Sequence, residues 1–275
     1  MNRLRAVPGR IALVVVAAMW AVPTIGLFVT ALRPQRQSVR TGWWQAVFEP
    51  SQITLDNFRA IFESDFFARS IVNTFAITIP TTVGVVMVAA LAAYAFAWVA
   101  FPGRDALFVA VVGLLVVPLQ MALVPVARLY NTLGIFGSIT GVVLFHVAFG
   151  LPFAIFLLRN FFAGIPKELL EAARLDGASE ARIFLRVILP LGIPAIASLA
   201  IFQFLWVWND LLVALVFAKT SSAPITVAIQ QQLRQFGGNL DIISAASFVS
   251  MVIPLAVFFA FQRYFAEGLL AGSVK

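Results

Sequence analysis

The sequence predicts an all-α integral membrane protein with six transmembrane helices in one domain, residues 1–275. Three observations lead there. Of the 275 residues, 61% are hydrophobic and 11% charged, whereas soluble domains run at about 45–50% apolar and about 25% charged. Six stretches reach the roughly 20 apolar residues that cross a bilayer core of about 30 Å. The one dense run of charge, from Lys167 to Arg186, has uncharged apolar sequence on either side.

In chain order the expected spans are about 11–32, 70–100, 106–127, 135–158, 191–217 and 242–262. Arg3, Arg5 and Arg10 precede the first, as in a signal peptide. Its apolar run is too long for a signal core and no small-residue cleavage site follows, so it reads as a retained helix. A long outer segment, about 33–69, carries Arg33, Arg36, Arg40, Arg59 and Arg69. The second span is long enough to tilt or to begin in the interface. Pro23, Pro80, Pro118, Pro125, Pro152, Pro194 and Pro254 fall inside spans, where neighbouring helices can satisfy the backbone groups they leave unpaired.

Six spans put both termini on one side. Arg104, Arg159, Lys167, Arg174, Arg182, Arg186, Arg263 and Lys275 share that side with the N-terminal arginines, against Arg128, Lys219 and Arg234 in the short loops opposite. Short basic loops stay cytoplasmic, so both termini, the loop 163–190 and the tail 263–275 are expected in the cytoplasm. The arginines of 33–69 argue the other way, with less weight because that loop is long.

Several functions are excluded. The chain has no Cys, hence no disulfide, thiolate metal site or Cys nucleophile. Its formal charge of +7 comes without a basic patch interleaved with aromatics, so nucleic acid is not a partner. No GxxxxGK[ST] loop cradles a phosphate, and the spans lack a catalytic carboxylate pair. The chain is not expected to be an enzyme or to hold a metal. A secondary transporter would show paired repeats and a midplane coupling acid; neither is evident. His146 and Asp210 are the clear intramembrane ionisable groups, costly to bury and therefore functional candidates. A His satisfied by a neighbouring helix and an Asp that fixes a helix end are the structural readings. Gln203, Trp206, Trp208 and Asn209 can supply the aromatic faces and polar groups of a specific pocket, or interfacial anchors.

The charged loop has its own logic. Pro166 fits the first turn of a helix, and Glu168 and Glu171 sit near the positive end of its dipole. The helix runs through Ala172, Ala173, Arg174 and Leu175 to Gly177, which tolerates the left-handed stop. Ser179 can cap a second short helix carrying Ile183, Phe184 and Val187 toward Pro190, where the next span begins. Ala172, Ala173 and Ala178 allow another surface to approach closely. This reads as a docking element; an amphipathic loop in the headgroups is the alternative.

Glu171-Ala172-Ala173, three residues, Gly177, nine residues, then Val187-Ile188-Leu189-Pro190 resembles the EAA loop of permease subunits in binding-protein-dependent ABC importers. The C-terminal "FQRYFAEGLLAGSVK", Phe261–Lys275, is similar to the tail of sugar-importer permeases related to the smaller permease of the maltose transporter, and "WND" at Trp208–Asp210 resembles their fifth span. Val187 and Leu269-Leu270 depart from that pattern.

The resemblance implies a type I ABC importer permease bundle with a cytoplasmic coupling helix. Its partners would be a second permease, a dimer of ATPase subunits, an extracytoplasmic sugar-binding protein and the lipid bilayer. The permease itself would bind no cofactor, ATP and magnesium belonging to the ATPase subunits. By the same resemblance Glu171 would pair with a basic group of the ATPase and Ala172 and Ala173 would pack into its cleft, with Asp176, Gly177 and Pro190 completing the loop. Arg263, Gly268, Gly272 and Lys275 would reach between the ATPase subunits. The outer loop 218–243 would enter the binding protein's cleft. The cargo would be a di- or oligosaccharide such as an α-glucoside, maltose or trehalose, moved by alternating access, with glycerol phosphate or another polar solute as the alternative.

Overall fold

The computed structural model describes residues 7–236 and 239–271, with side chains over 9–233 and 239–262. Among the described residues, five helices are long and apolar enough to cross a membrane: Gly9–Ala31, Asp65–Trp98, Ile139–Ala163, Glu180–Trp208 and Leu240–Gln262. A sixth crossing results if Arg104–Val116 and Leu119–Thr132, bent by 99° at their junction, count as one span. The chain forms two compact units, one running to Ile71 and including Val227–Val252, the other comprising Val72–Thr226 and the chain from Ile253 on.

The first unit is organised by the end of α1 (Val7–Ala31). The last carbonyls of a helix have no partner within it, and here the following segment supplies them. Asn57 Nδ2 donates to the carbonyls of Ala31 and Arg33, each at 2.9 Å, and the Thr54 N–H donates to Leu32 at 2.7 Å. Between them lie α2 (Gln35–Arg40), the 3-10 turns Trp43–Val47 and Pro50–Gln52, and α3 (Asp56–Glu63). Arg33 is fully buried at their centre. Its Nε and Nη2 reach Gln52 Oε1 at 3.1 and 2.9 Å, and its Nη1 reaches the Gly42 carbonyl at 3.0 Å. A buried guanidinium is tolerable when its donors are satisfied in this way.

In the second unit α4 (Asp65–Trp98), α7 (Ile139–Ala163) and α10 (Leu189–Trp208) bury small residues: Ala89, Ala90 and Ala93 on α4, Ala154 on α7 and Ala195 on α10. Small side chains let membrane helices approach closely enough to pack. Ser138 starts α7 by accepting the Gly141 N–H at 3.1 Å, as N-caps do.

Two spans differ from the sequence reading. The expected 106–127 helix is broken into α5 (Arg104–Gly113), a 3-10 turn Leu114–Val116 and α6 (Leu119–Thr132). Pro118 is the cause: the residue before a proline is driven out of the α region, and Pro118 itself is extended at ψ 127°. The fifth helix was expected over 191–217. It begins at Glu180, with α9 (Glu180–Ile183) and a π segment Phe184–Ile188 leading into α10, and it ends at Trp208. A prolyl ring clashes with the carbonyl four residues back in a regular helix; the wider π turn lies where Pro190 would impose that clash. Beyond Trp208, Asp210 accepts the N–H groups of Val213 at 3.3 Å and Ala214 at 3.1 Å, which starts a separate helix α11 (Leu212–Phe217).

Candidate functional site

The charged loop folds as α8 (Lys167–Leu175) and a tight turn into α9. Leu170 is buried beneath α8 and anchors it to the core. Gly177 stops the helix at φ 76°. The Ala178 N–H donates to Ala173 and the Gly177 N–H to Arg174, both at 3.0 Å. This pair of bonds is the Schellman motif, which satisfies the orphaned carbonyls of the last turn.

The turn decides which residues face outward. Glu171, Ala172, Asp176 and Gly177 are exposed. Ala173 and Ala178 instead pack inward against the core that holds Leu170, so neither is a free small surface, and of the alanine pair only Ala172 is open. Ser179 stands at the N-cap of α9 without a side-chain hydrogen bond, so the cap expected of it is not made. Pro190 lies within the long helix beyond the π segment, away from the turn. Sequence reasoning passed over Leu175, which is 89% exposed. An apolar side chain between Arg174 and Asp176 with nothing at helical spacing to bury it was the available signal. Glu171 and Lys167 lie 3.5 Å apart; both are solvated, so the pair contributes little.

Arg174 is held from the other side. Its Nε donates to Glu180 Oε1 at 2.9 Å and its Nη2 to the Trp98 carbonyl at 3.3 Å. The Glu180 hydrogen bond shifts the guanidinium further toward its charged form. Tyr94 donates its hydroxyl to the other Glu180 oxygen.

The four residues expected along a substrate path do not converge. Gln203 is buried and faces Gly150, close enough that a Cβ there would stand 2.9 Å from its Nε2. Trp208 is buried between Phe204 and Phe75, with ring centroids at 5.4 and 4.9 Å; it is core. Trp206 and Asn209 are exposed, and Trp206 meets His146 edge-on at 5.6 Å. His146 is itself buried, with Nε2 3.5 Å from Asp210 Oδ2. Beside the pair a cavity of about 10 Å³ is lined by Thr74, Thr78 and Val142 among others. Asp210 fixes the start of α11, whereas His146 has a carboxylate beside Nε2 and no hydrogen-bond partner at its buried Nδ1. Among the described residues no three His, Asp or Glu side chains gather as a metal site requires.

The outer loop is partly helical. α12 (Ile225–Phe236) covers most of the stretch thought to enter a binding protein. Its start is tied to α4 by Asn73 Nδ2, which donates to the carbonyls of Ser221 at 3.0 Å and Ala223 at 3.1 Å. Arg263 and Gly268 lie on the backbone of α13 (Leu240–Ala271); the Arg263 side chain, Gly272 and Lys275 are outside the described residues.

An amphipathic helix stopped by an αL glycine between two spanning helices marks a membrane protein that must engage something beyond the bilayer. The family of binding-protein-dependent transport system inner membrane components matches residues 3–270. This chain belongs to that family. As an inner membrane component with several spanning helices, it is a multi-pass membrane protein and works with partner subunits. Among curated relatives, the osmoprotective compounds uptake permease GgtD of Synechocystis is 48% identical over 273 residues, covering 98% of this chain and 92% of its own. The α-glucoside transport system permease AglG of Rhizobium meliloti is 51% identical over 82% of this chain and 61% of its own. The trehalose transport system permease SugB of Mycobacterium tuberculosis is 36% identical, covering 92% of each. A solved bacterial ABC transporter involved in importing the acidic polysaccharide alginate has the same fold, with a TM-score of 0.81 at 20% identity over 96% of this chain and 97% of that one.

Proposed function

We propose that this chain is one of two permease subunits of an ATP-driven importer for an α-glucoside-type di- or oligosaccharide, moved by alternating access. The observation that carries the reading is the outward face of α8, where Glu171, Ala172, Leu175 and Asp176 are presented on a helix fixed by Leu170 and the Gly177 turn. A cleft in a dimer of ATPase subunits is the surface such a face fits, with Glu171 paired to a basic group there. ATP and magnesium would be held by those subunits, and both termini would lie in the cytoplasm with α8, the tail at Arg263, Gly268, Gly272 and Lys275 reaching the same subunits. The likeness to permeases named for α-glucosides and trehalose supports the sugar class.

The broken span supports a second permease. The elbow between α5 and α6 exposes Leu114, Val116, Val117 and Met121. Irregular backbone at membrane depth persists only where protein covers it or it lines a water-filled cavity. A partner permease against this elbow supplies both. On the substrate path the exposed Trp206 and Asn209 remain available, while Gln203 and Trp208 act through packing.

A complex purified in mild detergent through a tag on this chain tests the reading. It should contain a second permease and show vanadate-sensitive ATP hydrolysis, stimulated by binding protein loaded with an α-glucoside. A chain that emerges alone and without ATPase activity would refute it. The relative named for osmoprotective compounds matches nearly end to end and favours a second reading, a smaller compatible solute as cargo; the same titration with glycosylated polyols separates the two.

A further inference from the structure

The attachment of α8 to the rest of the second unit is specific in a way its docking role does not require. At nine residues, α8 is too short to be a stable helix alone, so it transmits force only through what holds it. The apolar anchors, Leu170 with Ala173 and Ala178, resist separation but carry no direction. Arg174 does: its fork bridges Glu180, on the far side of the Gly177 turn, and the last carbonyl of α4 at Trp98. Glu180 is engaged a second time by the hydroxyl of Tyr94, one turn earlier on α4. The Tyr94 ring packs on Phe184 at 5.3 Å, and Trp98 Nε1 donates to the Phe162 carbonyl at the end of α7 at 3.0 Å.

We propose that Arg174, Glu180 and Tyr94 form a latch that makes α8, the start of the Glu180–Trp208 helix and the end of α4 move as one body. On the reading that α8 docks on the ATPase subunits, the three are positioning residues for coupling hydrolysis to transport. Glu180 is the hub, because its two carboxylate oxygens bind different helices at once. Charge-assisted, bidentate hydrogen bonds fix orientation as well as distance, so rotation of α8 reaches α4 instead of being absorbed at the turn.

The chain's lack of Cys permits a direct test. Spin labels are placed at Leu169 on α8 and Leu91 on α4, both exposed. Their distance is measured in the isolated chain and in the full complex, without nucleotide and after ATP–vanadate trapping. With the native latch the distribution is expected to be narrow and the same in all states. Tyr94→Phe and Glu180→Gln are each expected to broaden and shift it, with the double variant no worse than either single one and the ATPase subunits still retained. A native distribution in both single variants would overturn the latch, as would variants that lose the ATPase subunits outright, since the residues would then serve assembly alone. Because the isolated chain reports the latch without any partner, a failure of the docking reading appears separately, as ATPase retention indifferent to Glu171→Lys.

Discussion

Asp210 and His146 meet 3.5 Å apart, carboxylate Oδ2 to imidazole Nε2, while the same carboxylate accepts the first free N–H groups of α11. One side chain thus starts α11 just past the end of the Glu180–Trp208 helix and stands beside a buried imidazole. Asp210→Asn keeps an acceptor for the helix and should cost little, whereas Asp210→Ala should lose about 1 kcal/mol or more, the usual worth of a helix-capping side chain. Thermal unfolding in detergent checks this, and equal stability of the two variants would refute it.

The Gly177 turn makes a second prediction. Its φ of 76° costs a side-chain-bearing residue roughly 1–2 kcal/mol, more for a β-branched one. Gly177→Val should leave the protein in the membrane but abolish coupled transport in proteoliposomes. Transport at the native rate would show that the turn is dispensable.

Leu175→Asp isolates docking from folding. Since the side chain is 89% exposed, the unfolding temperature should not move, yet co-purification of ATPase subunits should fall sharply, as it should for Glu171→Lys. Undiminished co-purification with both would remove this face from the interface.

Arg33→Lys should loosen the outer segment. Lys cannot reproduce the fork that Arg33 makes to Gln52, Gly42 and the Gln37 carbonyl, and each hydrogen bond lost from a charged group typically costs about 1.5–3 kcal/mol. Trypsin supplies the readout, with faster cleavage at the exposed Arg36 and Arg40. An unaltered digestion rate would contradict the central role of Arg33.

Gly150→Ala should destabilise the second unit, because the added methyl would meet Gln203 at 2.9–3.0 Å and Val85 at 3.1 Å. Shortening Gln203 to Ser in the same chain should restore part of the lost unfolding temperature. No recovery would mean that Val85, not Gln203, sets the clearance.

The fold class was legible because bilayer thickness fixes the length of an apolar helix, and the docking helix was legible because Pro166 and Gly177 punctuate it. The broken third span was not: Pro118 was read as one more tolerated membrane proline, and only its geometry shows that it turns the chain. Arg33 was counted as a loop charge, since nothing local says that Asn57, Gln52 and three backbone carbonyls will close around it. The inward face of Ala173 and Ala178 follows from a six-residue hydrogen-bonded turn, which composition does not reveal. Trp208 and Gln203 shared a stretch with Trp206 and Asn209, but neighbours along a helix point to different sides.

The π segment Phe184–Ile188 has a consequence for chains of slightly different length. Each α-helical residue advances the helix by about 100°, and a π turn holds one residue more than an α turn. Removing a single residue from this segment can therefore be absorbed as a regular turn, leaving the faces of α9 and of the membrane helix in their present alignment. One deletion elsewhere in the same helix would swing every side chain on one side of it through about 100°. The segment is the point along this helix where related chains can differ in length by one residue and keep the same two surfaces.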